Sequence, residues 1–251
     1  MAAAPRRSEI ALEHSVLRPV RSHHAFEACV EQLATAIRLG VYPLGTTLPA
    51  ERDLAERLGV SRATLREAMA ALRQAGLIET RRGRGGGTVV TLKPRTPSAR
   101  KAARISAAQR ADWLDVLEFR RITEPGAAYL AAQRKQDREL TDDQGYQLRS
   151  ALADVDAASR PAAHRQADSR LHLTVATLTG SPRVVEAVTG VQRVLHEMLL
   201  AIPVLDANIA HSDRQHAAVV RAILGGRPDR ARRAMEQHCD DTAALLRGLV
   251  G

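Results

Sequence analysis

The sequence predicts a mainly α-helical chain in two parts, a basic winged helix-turn-helix followed by an all-α helical bundle. Three observations carry that expectation. Apolar residues recur at spacings of three and four through most of the chain. Only residues 77–92 break into two short β-like runs around a glycine-rich centre. Aromatic residues make up 2% of the 251 residues, whereas the helix formers Ala, Leu and Arg abound. At about 100–200 residues per domain, the length suggests two domains.

Composition excludes several classes. No run of 18 apolar residues is present, so a membrane span is not expected. The start, MAAAPRRSEIALEHS, lacks the apolar stretch of a secretory signal. Cys29 and Cys239 are too few for a disulfide framework or a thiolate cluster. These features point to a cytoplasmic protein. The scarcity of aromatics argues against a stacking platform for single-stranded nucleic acid. The net charge of +9 is uneven: residues 1–100 carry +7 and residues 101–251 carry +2. A basic first part attached to a near-neutral remainder suggests that the first part meets a polyanion.

Residues 1–22 show no lasting periodicity and read as a flexible arm. A first domain is expected over 23–92. Phe26, Val30, Leu33, Ala34 and Ile37 line one face of a helix over 24–39, ended by Gly40. Tyr42-Pro43-Leu44-Gly45 is turn chemistry. A second helix is expected from Pro49 to Leu58, stopped by Gly59 in a left-handed C-cap. Ser61 is placed to cap a third helix, which shows Leu65, Met69 and Leu72 on one face and ends at Gly76. Strands over 77–81 and 88–92 then flank the basic turn Arg82-Gly83-Arg84-Gly85-Gly86-Gly87. Residues 93–107, with two prolines and five basic residues, read as a linker. The helical domain is expected over 108–251, punctuated by Pro125, Gly145, Pro161, Gly180-Ser181-Pro182, Pro203 and Gly225-Gly226-Arg227-Pro228.

Two short helices joined at Gly59-Val60-Ser61 and followed by a basic hairpin describe a winged helix-turn-helix. That geometry leaves Ser61, Arg62, Thr64 and Arg66 at the exposed start of the third helix. Such a helix end enters the major groove of duplex DNA, where Arg makes bidentate bonds to guanine. Arg52 is placed for a phosphate or a nearby base edge, and Arg82 with Gly83 at the wing tip for the minor groove. The segment LPAERDLAERLGVSRATLREAMAALRQAGLIETRRGRGGG resembles the DNA-binding domain of the GntR family of bacterial transcription regulators. The resemblance covers about residues 24–92. It implies operator contacts from Arg52, Arg62, Arg66 and Gly83, with Ser61 and Thr64 where family members often touch phosphates or bases.

In the second part, Asp168 and His172 stand four apart on a helical segment and so share a face. His216 precedes Gly225 by nine residues and His238 follows Pro228 by ten. If Gly225–Pro228 closes a helical hairpin, the two histidines lie at nearly the same height. One carboxylate and three imidazoles suit a divalent first-row metal: Zn²⁺ first, Ni²⁺ or Mn²⁺ as alternatives. From spacing alone each histidine reads equally well as a surface or satisfied core residue, and His164 and His211 compete for the role.

The segments ADSRLHLTVATLTGSP, RQHAAVVRAILGGRPDRARRAMEQH and DVLEFRRITEPGAAYLAA resemble the FCD effector domain that marks the FadR subfamily of the same family. This second resemblance covers about 108–247, in patches. It implies a metal held by Asp168, His172, His216 and His238, and a small organic acid bound at that metal. Arg120 is implied as the counter-charge, with a structural salt bridge the alternative role. Ser181 stands where many relatives carry Asn.

The function expected from these readings is a ligand-responsive, DNA-binding transcription regulator, a repressor, acting as a homodimer on a near-palindromic duplex operator. Its expected effector is a small carboxylate-bearing metabolite. One alternative is a sensor for which the metal itself is the signal. Another is a metal-dependent hydrolase carrying a DNA-binding domain; the absence of HExxH, GxSxG and P-loop motifs argues against enzyme chemistry. Metal-free binding of a fatty acyl thioester is disfavoured by the complete ligand set.

Overall fold

The structure, a computed structural model, describes residues 25–81, 87–92, 105–201 and 206–250, together with Leu12, Val16, Leu17 and Pro19. The chain divides into two compact units, Met1–Pro94 and Arg95–Gly251. Among the described residues, no helix is long and apolar enough to cross a membrane.

The first unit contains α1 (Ala25–Arg38), α2 (Glu51–Leu58), α3 (Arg62–Gln74), β1 (Ile78–Arg81) and β2 (Gly87–Val90). Both α1 and α2 pack on α3. The apolar stripes meet in a core of Leu33, Ile37, Leu54, Leu58, Leu65, Met69 and Leu72, each at most 1% exposed. Gly59 ends α2 with φ 64°, and its N–H bonds back to Glu56 O. A Cβ at this position would also crowd the Pro19 side chain at 3.3 Å, so the left-handed φ and the close approach both favour glycine. Ser61 caps α3, its hydroxyl accepting from the Thr64 amide at 3.0 Å.

Helix α2 starts at Glu51 with Ala50 as its cap, so Pro49 precedes the helix rather than opening it. The strands pair antiparallel from Ile78↔Val90 to Arg81↔Gly87, ending two residues earlier on the second strand than periodicity suggests. A feature absent from the sequence reading joins them: Thr47 forms a bridge to Val89, and Leu48 N–H bonds Thr88 O at 2.8 Å. The chain between α1 and α2 thus supplies a third edge to the wing, tying the hairpin to the helices. Within the segment read as an arm, Leu12, Val16 and Leu17 are buried. Arg82 and Gly83 of the wing turn, and residues 93–104 of the expected linker, lie outside the described residues.

The second unit is helical throughout its described length: α4 (Ala107–Gln136), α5 (Asp142–Asp156), α6 (Pro161–Leu178), α7 (Pro182–Ala201), α8 (Asp206–Leu224) and α9 (Pro228–Val250). Ser106 caps α4, Thr141 and Gln144 form a capping box on α5, and Pro161, Pro182 and Pro228 open their helices. Pro125 and Gly145, expected as punctuation, instead lie inside α4 and α5. The 30-residue α4 runs through its proline because packing against α6, α7, α8 and α9 holds it on both sides. Tertiary burial outweighs the one lost backbone bond. Gly225 and Gly226 close the α8–α9 hairpin.

Two apolar clusters fill this unit. One gathers Ala128, Ala131, Leu148, Leu171, Val175, Val219, Ile223 and Met235. The other gathers Trp113, Leu117, Leu195, Met198, Ala243 and Leu246. Along the inward face of α4, Leu117 belongs to the second cluster and Ala127 to the first. Between them the same helical stripe carries Arg120 and Glu124, which are 1% and 2% exposed. The polar site occupies this interval.

Candidate metal centre and DNA-facing surface

Three buried histidines from three helices meet at this place. His172 comes from α6, His216 from α8 and His238 from α9. One ring nitrogen of each lies within 4.8 Å of the others. The ring centroids are 5.3, 5.1 and 4.5 Å apart. Nε2 of His172 and Nε2 of His216 are 3.3 Å apart. Asp168, one turn before His172 on α6, sets Oδ1 3.1 Å from His216 Nε2 and 4.0 Å from His172 Nε2. The structure therefore brings His172, His216 and His238 to one point, with Asp168 beside His216 and His172. The hairpin accounts for part of this: Gly225–Pro228 returns α9 antiparallel beside α8, so positions nine before and ten after the turn come level. The competitors go elsewhere: His164 Nε2 bonds Asp213 at 2.8 Å, and His211 Nε2 bonds Asp241 at 2.9 Å on the exposed side.

A surrounding layer, of which the sequence singled out only Arg120, orients these rings. Nδ1 of His172 lies 2.8 Å from Glu124 Oε2, an ion-pair contact. Glu124 also accepts from Arg120 Nε at 3.0 Å and from Gln192 Nε2 at 2.7 Å. His238 Nδ1 donates to Gln215 Oε1 at 3.2 Å, which leaves Nε2 as the lone-pair nitrogen. That nitrogen accepts from Arg120 Nη2 at 3.0 Å. Arg120 Nη1 and His216 Nδ1 are buried without hydrogen-bond partners. Glu124 carried one legible signal, its i,i+4 spacing from Arg120. Gln192 and Gln215 carried none, because a glutamine in a helix has no distinguishing pattern.

The electrostatics favour the neutral form of His216 and His238. Burial pushes His216 down to about 4, against the opposing pull of Asp168 and with help from the Arg120 charge. Burial likewise holds His238 well below its ordinary value, reinforced by His216 and Arg120. Burial alone would raise Glu124, but the Arg120 charge and His172 overcome it and keep the carboxylate ionised. Neutral imidazoles are the form that binds metals.

The donor set fits a divalent ion. Ligands at ~2.0–2.1 Å around a tetrahedral ion sit ~3.3 Å apart, which is the His172–His216 nitrogen separation. The Glu124–His172 and Gln215–His238 contacts are the outer partners that metal-bound histidines use.

In the first unit, Ser61, Arg62 and Arg66 are exposed at the start of α3 and Thr64 is half-buried, while Leu65, Ala68, Met69 and Leu72 face inward. The Ser61 hydroxyl also lies 2.8 Å from Thr64 Oγ1, so both hydroxyls are held by the cap. The Arg52 side chain is 72% exposed, with Nε 3.1 Å from Asp53.

Comparison with known proteins agrees with both halves. The bacterial regulatory proteins, gntR family, match residues 26–90, and the FCD domain matches residues 115–241. A protein of Mycobacterium gastri named as the HTH-type transcriptional regulator RmpR is 32% identical over 215 residues, covering 84% of this chain and 76% of that protein. The Glc operon transcriptional activator of Escherichia coli K12 is 28% identical over 220 residues, covering 84% and 85%. Among solved structures, Escherichia coli McbR/YncC aligns with a TM-score of 0.53 at 15% identity, covering 91% of this chain and 99% of that one, a likeness of fold. These relatives are transcription regulators, not enzymes. The chain belongs to the GntR family of bacterial transcription regulators, with a winged helix-turn-helix for DNA and a C-terminal FCD domain.

Proposed function

We propose that this regulator binds a near-palindromic operator as a homodimer, represses transcription there, and responds to a small carboxylate that binds at a divalent metal in the FCD domain. The observation that carries the reading is the convergence of three buried histidines from three helices, with Asp168 against His216. Those four residues would hold the ion, Zn²⁺ first and Ni²⁺ or Mn²⁺ as alternatives. Bound there, it would supply a Lewis-acidic position for a carboxylate oxygen. Arg120, hydrogen-bonded to His238 Nε2, would be the counter-charge beside the ion. Arg62 and Arg66 would read base edges, Ser61, Thr64 and Arg52 would fix the register on the backbone, and Arg82 with Gly83 would reach the minor groove. Residues 93–107 would transmit the effector's preference for one arrangement of the DNA-binding units over another.

Dimerisation has its own support. Phe119, Ile122 and Leu130 are exposed by 47%, 74% and 40%, and with Gly126 they fall on one face of α4. A second copy of the chain is the occupant proposed for that face.

The test pairs two variants with elemental analysis and operator binding. Wild type is expected to retain close to one divalent ion per chain, and His216→Ala to lose it. Arg62→Ala is expected to weaken operator binding by about 1–3 kcal/mol while retaining the metal. A wild type free of metal after metal-replete purification sinks the effector half of the reading. Reporter output with and without Arg62 gives the sign of regulation.

A further inference from the structure

The Arg120 guanidinium makes contacts that a simple effector clamp does not need. Its Nε donates to Glu124 at 3.0 Å while its Nη2 donates to Nε2 of His238 at 3.0 Å. The tautomer of His238 is determined by Gln215, so this Nε2 is the nitrogen a metal would use. Arg120 therefore satisfies a ligand's lone pair with a positive charge. Its remaining group, Nη1, is buried with no partner.

We propose that Arg120 is a built-in competitor for the cation: its guanidinium occupies the metal-facing nitrogen of His238 in the metal-free protein, and is displaced into an anion-binding fork when the ion enters. The inference rests on the metal reading above and deepens it. The displaced guanidinium keeps its Nε on Glu124, which holds it beside the site with Nη1 and Nη2 both unsatisfied. Two buried parallel donors favour a carboxylate, which accepts from both. A guanidinium left next to a divalent ion is repelled in this dry interval, and an anion between them removes the repulsion. Metal and carboxylate must then assist each other, each raising the other's affinity by the same factor. The arrangement makes the metal a licence for effector binding, because without the ion the fork is closed on His238.

The test measures Zn²⁺ affinity by competition with a chromophoric chelator, with and without acetate as the carboxylate probe. It compares the full-length wild type with Arg120→Met and Arg120→Lys. Arg120→Met removes both the competing donor and the charge, so Zn²⁺ is expected to bind at least tenfold tighter. Arg120→Lys keeps a charge for Glu124 but cannot span Glu124 and His238 together, and is expected to bind Zn²⁺ about threefold tighter or more. In wild type, acetate is expected to raise Zn²⁺ affinity at least threefold; that coupling is lost in Arg120→Met and reduced in Arg120→Lys, which keeps a charge but offers no paired donors. If Arg120→Met fails to fold with its Glu124 partner unpaired, Arg120→Lys alone carries the test. Zn²⁺ affinity unchanged or weakened in the folded variants overturns the proposal and leaves Arg120 a structural ion pair. Acetate coupling that persists undiminished in the folded variants also overturns it. A wild type that binds no Zn²⁺ at all is a different result, the failure of the underlying metal reading.

Discussion

At the scale of single residues, the centre is built from groups whose chemistry depends on being buried. His216 is 1% exposed, and its depressed value near 4 makes the metal-free protein sensitive to acid. The unfolded chain protonates this imidazole near 6.5, whereas the folded chain resists until about 4. Stability from keeping it neutral is thus intact above pH 6.5. It is lost progressively as pH falls toward 4, by about 3 kcal/mol for this group at ~1.4 kcal/mol per unit. The metal-free protein is expected to show a denaturant midpoint that drops between pH 6.5 and 5, with His238 adding in the same direction. In His216→Asn that drop is expected to be shallower. Glu124 is held well below this window, so it adds nothing to the slope between pH 6.5 and 5. A midpoint flat across the window would contradict buried, neutral imidazoles.

Among the elements, α3 and α4 show how local signals and packing share control. The start of α3 is locally encoded: Ser61 takes the Thr64 amide, Gly59 turns the chain, and the arginines are left outward. Ser61→Ala removes that cap and is expected to cost about 1 kcal/mol of stability. It also frees the start of the helix to fray, so operator affinity falls with it. Thermal unfolding and gel-shift titration measure the two effects, and an unchanged melting temperature would argue that the cap is dispensable. Helix α4 is the opposite case. Its Pro125 is a breaker by local rules, yet the helix continues from Ala107 to Gln136 because two apolar clusters and the Arg120–Glu124 pair hold it at successive turns. The Thr47–Val89 bridge likewise has no local signature, since one paired residue leaves no alternation to read.

At the scale of the whole molecule, the proposed homodimer gives the exposed face of α4 a role. Ile122→Asp is expected to convert a species of twice the chain mass to one of the chain mass in light scattering. It should weaken operator binding because two half-sites are no longer linked. A monomeric wild type at micromolar concentration would refute the dimer. The two-part architecture and the helix-turn-helix were legible because both rest on short-range rules: periodicity, turn glycines and a capping serine act within a few residues. Asp168 and His172 were paired by their spacing of four, and His216 and His238 by the hairpin between them. Neither pattern could show that the two pairs meet. That meeting, Glu124 and Gln215 behind the rings, and the Arg120 guanidinium on His238 Nε2 follow from how α4, α6, α8 and α9 pack. The amino-acid order alone determined that the second unit is helical and where the helices of the first unit start and stop, because periodicity, caps and turn glycines act between neighbours in the chain. Only the tertiary structure decided which polar faces confront one another, because a buried contact between residues 118 positions apart is selected by the packing of the whole bundle.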